Sequence, residues 1–214
     1  GRQGLIFQAW EQDNGLRRMK LNSREKKWVG HPVRGWMARK LEAPTLLDLG
    51  GPVPGGRVLD LGCGKGVGGR ILREDFQAAR VDSLDLDPSM VQGGRTGACS
   101  AVVGDACALP FADESYDAVF ALQVLHHIKD WQFSLKEIWR VLRPGGRLYG
   151  SETLVGLLQH PILGAWMDHP EENRFAERDL LAGLEGASFR LGETRRVGKW
   201  FLWFVADRPA NVVE

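Results

Sequence analysis

The stretch Val58-Leu-Asp-Leu-Gly-Cys-Gly-Lys-Gly-Val-Gly-Gly69 holds the residue types best suited to cradle a ligand. Glycines let the backbone turn sharply and let a ligand approach the chain. A Walker loop needs GxxxxGK[ST], but Gly66 follows Lys65, so that class is excluded. A dinucleotide loop needs GxGxxG, and Gly64, Gly66 and Gly69 satisfy that string. Asp60 weighs against it. Two residues before Gly62, its carboxylate would repel a pyrophosphate and attract an ammonium group. S-adenosylmethionine, which joins an α-amino group, a sulfonium and an adenosine, meets that demand. Asp85 closes the next apolar run, where an acid accepts hydrogen bonds from ribose hydroxyls. A dinucleotide explains Asp85 equally well but leaves Asp60 without a purpose.

Further along, Gly104-Asp105-Ala106 follows a third apolar run. Asp105 can accept from an adenine amino group, and the next amide, Ala106, can face a ring nitrogen. Gln123, His126 and His127 follow a fourth run, and His169 closes the cluster Trp166-Met-Asp-His169. Histidine titrates near working pH, so His127, His126 and His169 are the candidates for a general base. Each also has a purely local reading as a hydrogen-bonding side chain, and Trp166 can be core or the roof of an acceptor pocket. Asp87 is expected to cap the helix opened by Pro88, and Cys63 to pack beside the loop.

These residues need elements to position them. Residues 57–61, 81–86, 101–103, 116–122 and 147–151 read as short, continuously apolar strands, the pattern of a buried parallel sheet. Helical stretches at 66–76, from Pro88, and at 132–142 alternate with them, which predicts an α/β fold with helices on both faces. Residues 187–194 and 199–206 read as two further strands, antiparallel across a turn near Gly198. Trp200 and Trp203 are expected on the second of them, facing opposite sides. Residues 1–50 read as an N-terminal helical cap, and 51–214 as one ligand-binding domain with a small insertion at about 153–175.

Composition narrows the classes. The chain has 214 residues, with 28 Lys and Arg against 27 Asp and Glu, so bulk charge does not drive polyanion binding. Three scattered cysteines form no CxxC pair, so neither a disulfide framework nor a zinc site is expected, and no metal is expected. No apolar run spans a membrane, no secretory leader is expected, and a reducing cytoplasm fits best. Eight Trp against two Tyr suggest a large core or a flat apolar surface for a ring or lipid-like ligand. Residues 16–40 hold nine basic side chains and one acid, Glu25, with Trp28 and Trp36 interleaved. That stretch reads either as a solvated helix face or as a contact for a membrane surface or an anionic substrate. Neutral overall charge makes nucleic acid an unfavoured partner.

Five blocks together resemble the class I S-adenosylmethionine-dependent methyltransferases, small-molecule type, related to the quinone-biosynthesis methyltransferases. They are VLDLGCGKG at 58–66, SLDLDPSM at 83–90, GDACALPFADESYDAV at 104–119, ALQVLHHIKD at 121–130 and LRPGGRL at 142–148. The resemblance implies a Rossmann-like, seven-stranded, mostly parallel sheet whose last strand is antiparallel. It also implies that Gly62, Gly64 and Gly66 line the methionine part of S-adenosylmethionine, with Asp60 and Cys63 beside them as further candidate cofactor-binding residues. Asp85 then holds the ribose and Asp105 with Ala106 recognises the adenine, and Leu86, Gly104 and Gln123 are further candidate cofactor-binding residues. The implied activity is methyl transfer to a small-molecule acceptor, ring-containing or lipid-like, with S-adenosylhomocysteine as product. Rival readings are a methyltransferase acting on phospholipid or nucleic acid, and a nicotinamide-dependent oxidoreductase.

Overall fold

A computed structural model of the chain describes residues 31–94, 99–158 and 176–210. Helix α1 (Pro32–Met37) opens on Pro32, whose missing N–H costs nothing at a helix start. A π-helical turn, Ala38–Glu42, joins it to α2 (Ala43–Gly50). Pro44 in the first turn of α2 explains the widening. Proline cannot donate to the preceding turn, and the Ala43 N–H instead reaches back five residues to the Ala38 carbonyl.

Strand β1 (Arg57–Leu61) follows, then α3 (Val67–Glu74), β2 (Arg80–Asp85), α4 (Pro88–Gly94) and β3 (Cys99–Val103). Next come β4 (Tyr116–Leu122), a 3-10 turn (Leu125–His127), α5 (Trp131–Val141) and β5 (Leu142–Thr153). A short α6 (Val155–Leu158), then α7 (Glu177–Gly186), β6 (Arg190–Val197) and β7 (Phe201–Asp207) complete the described chain.

The strands form one sheet in the order β3-β2-β1-β4-β5-β7-β6. The first five pair parallel, and β7 runs antiparallel to both β5 and β6. This is the Rossmann-like α/β architecture expected from the sequence, with the last strand reversed. The two C-terminal strands meet at a turn where Gly198 adopts φ +54°, as their spacing predicted. Trp200 departs from expectation. It lies in that turn rather than on a strand, because pairing with β5 begins only at Phe201. Strand β5 is longer than the 147–151 read from sequence. Leu142 already pairs with Tyr116, and the Pro144-Gly-Gly146 segment is carried as a register shift inside the strand.

Alternation of side chains sends apolar residues to both faces of the sheet. Leu59, Leu84, Val119 and Leu148 meet α5 and α7 on one side. Val58, Val81, Phe120 and Tyr149 meet α2 and α3 on the other, with Leu46 of α2 fully buried among them. Residues 43–50 therefore pack into the core. Cap residues 1–30 and most of the 153–175 segment, His169 included, lie outside the described residues.

Candidate active site

The carboxyl ends of β1, β2, β3 and β4 lie side by side, so four loops converge on one edge of the sheet. In open α/β sheets ligands bind at that edge. The loop after β1 needs its glycines. Gly62, Gly64 and Gly66 have φ of +71°, +51° and +84°, a left-handed region that side-chain-bearing residues rarely enter. Gly62 has a second reason: a Cβ there would fall 2.3 Å from Val124 Cγ2 on the loop after β4. The glycine loop and the Gln123–His127 segment are therefore in direct contact.

Asp60 sits beneath this loop, 3% exposed, and its Oδ2 has no hydrogen-bond partner. A Cβ on Gly68 would lie 2.6 Å from Oδ2, so the carboxylate faces the start of α3. Burial, then the nearby charge of Asp85, pushes the Asp60 carboxyl up to about 7. Asp85 is half-buried at the end of β2. Its Oδ2 accepts from the Gly64 N–H at 2.9 Å, and its Oδ1 from the Asp87 N–H at 2.9 Å. Burial raises its carboxyl, and those backbone donors work in the opposite direction. Leu86 follows, half-buried. Asp87 accepts from the Ser89 N–H at 2.9 Å, the helix cap expected of it. Cys63 is buried against the loop, and burial drives its thiol upward, away from reactive thiolate.

At β3, the Gly104 N–H donates to the Asp85 carbonyl at 3.0 Å, which ties the second and third loops together. Asp105 Oδ1 accepts from the Cys107 N–H at 2.8 Å, and Ala106 is buried. At β4, Gln123 adopts φ +57°, a costly conformation for a non-glycine residue. Its N–H donates to the Ser151 carbonyl at 2.7 Å, and its Oε1 accepts from Thr153 Oγ1 at 2.5 Å. His126 and His127 follow on the 3-10 turn with ring centroids 4.1 Å apart.

Residues 59–150, which contain these loops and strands, match the family model described as a methyltransferase domain. The chain is 36% identical over 158 residues to the malonyl-(acyl-carrier protein) O-methyltransferase of Halorhodospira halophila, a match covering 63% of this chain and 52% of that protein. The demethylmenaquinone methyltransferase of Corynebacterium glutamicum is 41% identical over 111 residues, covering 52% of this chain and 46% of that protein. The chain thus spans about half the length of these curated relatives. An S-adenosylmethionine-dependent methyltransferase from Aquifex aeolicus shares the fold, with a TM-score of 0.71 at 20% identity, over 88% of this chain and 100% of that one.

Two residues in and behind this candidate site escaped sequence reading. Glu152 in β5 is fully buried, and its Oε2 lies 2.5 Å from His126 Nδ1. Glu42, in the π-helical turn, is buried with Ser151 Oγ donating to it at 3.4 Å and Arg34 Nη1 at 2.9 Å. The only sequence signal for Glu152 is a lone acid at the end of an apolar strand; Glu42 has none. Among the described residues no group of three or more His, Cys, Asp or Glu side chains could hold a metal ion. Among them, too, no helix is long and apolar enough to cross a membrane.

Proposed function

We propose that this chain binds S-adenosylmethionine at the carboxyl edge of the sheet and transfers its methyl group to a small-molecule acceptor. The observation that carries the reading is Asp60: a buried carboxylate with an unpartnered oxygen, set under a loop of three left-handed glycines. Such a carboxylate costs free energy unless a positive partner arrives. The residues present fit the cofactor. Asp60 would take the ammonium end, and Gly62, Gly64 and Gly66 would admit its chain closely. Asp85 would accept from the ribose hydroxyls with the lone pairs its backbone donors leave unused. Asp105 and Ala106 would face the adenine. A pyrophosphate in the same place would meet the Asp60 charge, which disfavours the nicotinamide-dependent oxidoreductase.

When bound, the cofactor supplies a methyl group made electrophilic by its sulfonium. The chain's own residues contribute position, because fixing two reactants in line is worth roughly 7–11 kcal/mol. His126 and His127 stand on the turn that packs against the glycine loop, and with His169 they supply the candidate bases. Val33 and Trp36 on α1 and Val67 at the start of α3 are exposed, and α1 touches α3 where a Cβ on Gly35 would lie 3.5 Å from Val67 Cγ1. That apolar rim beside the glycine loop supports a ring-containing or lipid-like acceptor, as does the name of the quinone-methylating relative. Arg34 and Arg39, the described arginines of the basic stretch, are paired with Glu42 and with Glu74, which weakens the reading of that stretch as an anionic-surface contact.

S-adenosylhomocysteine at a hundredfold excess over its Kd should stabilise the fold by about 2.7 kcal/mol in thermal melts, and NAD should leave it unmoved. The reverse pattern would overturn the reading. By calorimetry, Asp85→Ala should weaken S-adenosylhomocysteine by about 1.5–3 kcal/mol, the range for hydrogen bonds to a charged group.

A further inference from the structure

Glu152 belongs to β5, one strand removed from the glycine loop, yet among the described residues every partner of its carboxylate lies in the segment after β4. Oε1 accepts from the Leu125 N–H at 2.9 Å and the Val124 N–H at 3.3 Å, and Oε2 meets His126 Nδ1 at 2.5 Å. Glu152 is 0% exposed, and the His126 side chain is 11% exposed. An ionisable group buried to this depth is expensive, and an apolar side chain would fill the space between β5 and the turn at lower cost. Two backbone donors on Oε1 stabilise the ionised carboxylate and leave Oε2 for the imidazole. A base whose second nitrogen is fixed by a buried acid is the arrangement that sets an imidazole's tautomer.

We infer that Glu152 is a positioning residue that keeps a proton on Nδ1 of His126 and so makes Nε2 the proton acceptor of this site. We infer also that the methyl acceptor enters still carrying the proton it must lose, as a phenol or an acidic carbon rather than as a carboxylate. The inference rests on the methyl-transfer reading of the site and goes beyond it. A carboxylate is already ionised at neutral pH and has no use for a base, whereas a phenol, with a pKa near 10, does. The step balances. The proton passes from the acceptor to Nε2, and the electron pair it leaves forms the new bond to the methyl carbon. The carbon–sulfur pair returns to sulfur, which becomes neutral, and the imidazolium charge is held against the Glu152 carboxylate until solvent takes the proton.

Glu152 and His127 both lie against His126. Glu152 on β5 favours its protonated form, and His127, on the same turn with its ring 4.1 Å away, disfavours it when charged. Burial pushes Glu152 up to about 8, so acid and imidazole titrate as a pair. The acid limb of activity should therefore lie above the ordinary histidine value of about 6.5.

The test is nitrogen NMR of the full chain bound to S-adenosylhomocysteine, with labelled histidine and the His126 signals assigned through His126→Gln. Above the pair's apparent pKa the expected form carries hydrogen on Nδ1 and none on Nε2. Hydrogen on Nε2 would overturn the inference. Glu152→Gln should lower the apparent pKa of His126 and shift the acid limb of kcat/KM with it, at unchanged affinity for S-adenosylhomocysteine. An unmoved pH profile would leave Glu152 a purely structural clamp. With naphthol and naphthoate as matched probe acceptors, transfer should go to naphthol. His126→Gln should then cut kcat at least a hundredfold with little change in KM. Transfer to naphthoate alone, or to neither probe, would overturn the acceptor class. Calorimetry on the same samples separates the two levels: a chain that ignores S-adenosylhomocysteine sinks the methyl-transfer reading, and one that binds it but carries hydrogen on Nε2 sinks only this inference.

Discussion

Two buried aspartates show how burial alone does not make a site. Asp82 is 2% exposed, much like Asp60 at 3%. Asp82, however, accepts from Arg57 Nη2 at 2.6 Å, from Arg80 Nε at 3.3 Å and from the Tyr116 hydroxyl at 3.1 Å. Its charge is matched, and it serves the fold. Asp60 has an oxygen with no partner, and burial pushes its carboxyl up to about 7. In the ligand-free protein it is therefore largely protonated below that value and ionised above it. An arriving ammonium favours the ionised form, so the pKa falls on binding and a proton leaves. Affinity for S-adenosylhomocysteine should then rise between about pH 6 and about pH 8, because the complex holds fewer protons than the free protein. Calorimetry at about pH 6 in two buffers of different ionisation heat should detect release of up to one proton. Asp60→Asn should abolish both effects, and a pH-independent affinity in the parent chain would remove Asp60 from the ammonium site.

Strand β5 does more than pair. It runs parallel to β4 and antiparallel to β7, and it carries Ser151, Glu152 and Thr153 to the same edge as the glycine loop. Period-two alternation then divides their roles. Glu152 turns to the side of the 3-10 turn, whereas Ser151 and Thr153 reach Gln123 on the other. The strand lies this close because Gly150 has no side chain. A Cβ there would fall 2.1 Å from Phe204 Cζ on β7, inside the ring's own volume. Gly150→Ala should therefore lower stability by about 1–3 kcal/mol, the usual cost of overpacking a core. Urea unfolding would measure it, and an unchanged midpoint would mean that β5 and β7 can separate without cost.

Across the whole molecule, Glu42 ties the N-terminal helices to the sheet. From the π-helical turn it accepts from Arg34 on α1 and from Ser151 on β5, and Ser151 in turn meets Gln123. Helix α1 is thereby held beside the glycine loop. Glu42→Ala would leave the Arg34 guanidinium and the Ser151 hydroxyl short of an acceptor, at about 1–3 kcal/mol. We expect that loss in chemical denaturation, with S-adenosylhomocysteine affinity falling too because α1 no longer braces Val67. Loss of stability with intact affinity would show that α1 and the cofactor loop are independent.

The order of strands and helices, the glycine loop and the acids at the strand ends were all legible in the sequence. Each is a local property: apolar runs mark buried strands, left-handed turns demand glycine, and loop chemistry follows strand ends by a few residues. The extent of β5 was not legible, since Pro144-Gly-Gly146 reads as a turn and only pairing with β4 makes it an irregularity within a strand. Nor was the pairing of His126 with Glu152, because a single chain does not show which side chains the sheet will bring together. His126 gained its acid from a residue 26 positions away, and Ser151 met Glu42 across 109 positions. Contacts at such separations leave no periodic trace in a single chain; they exist only once the sheet has stacked its strands and the helices have closed over its faces.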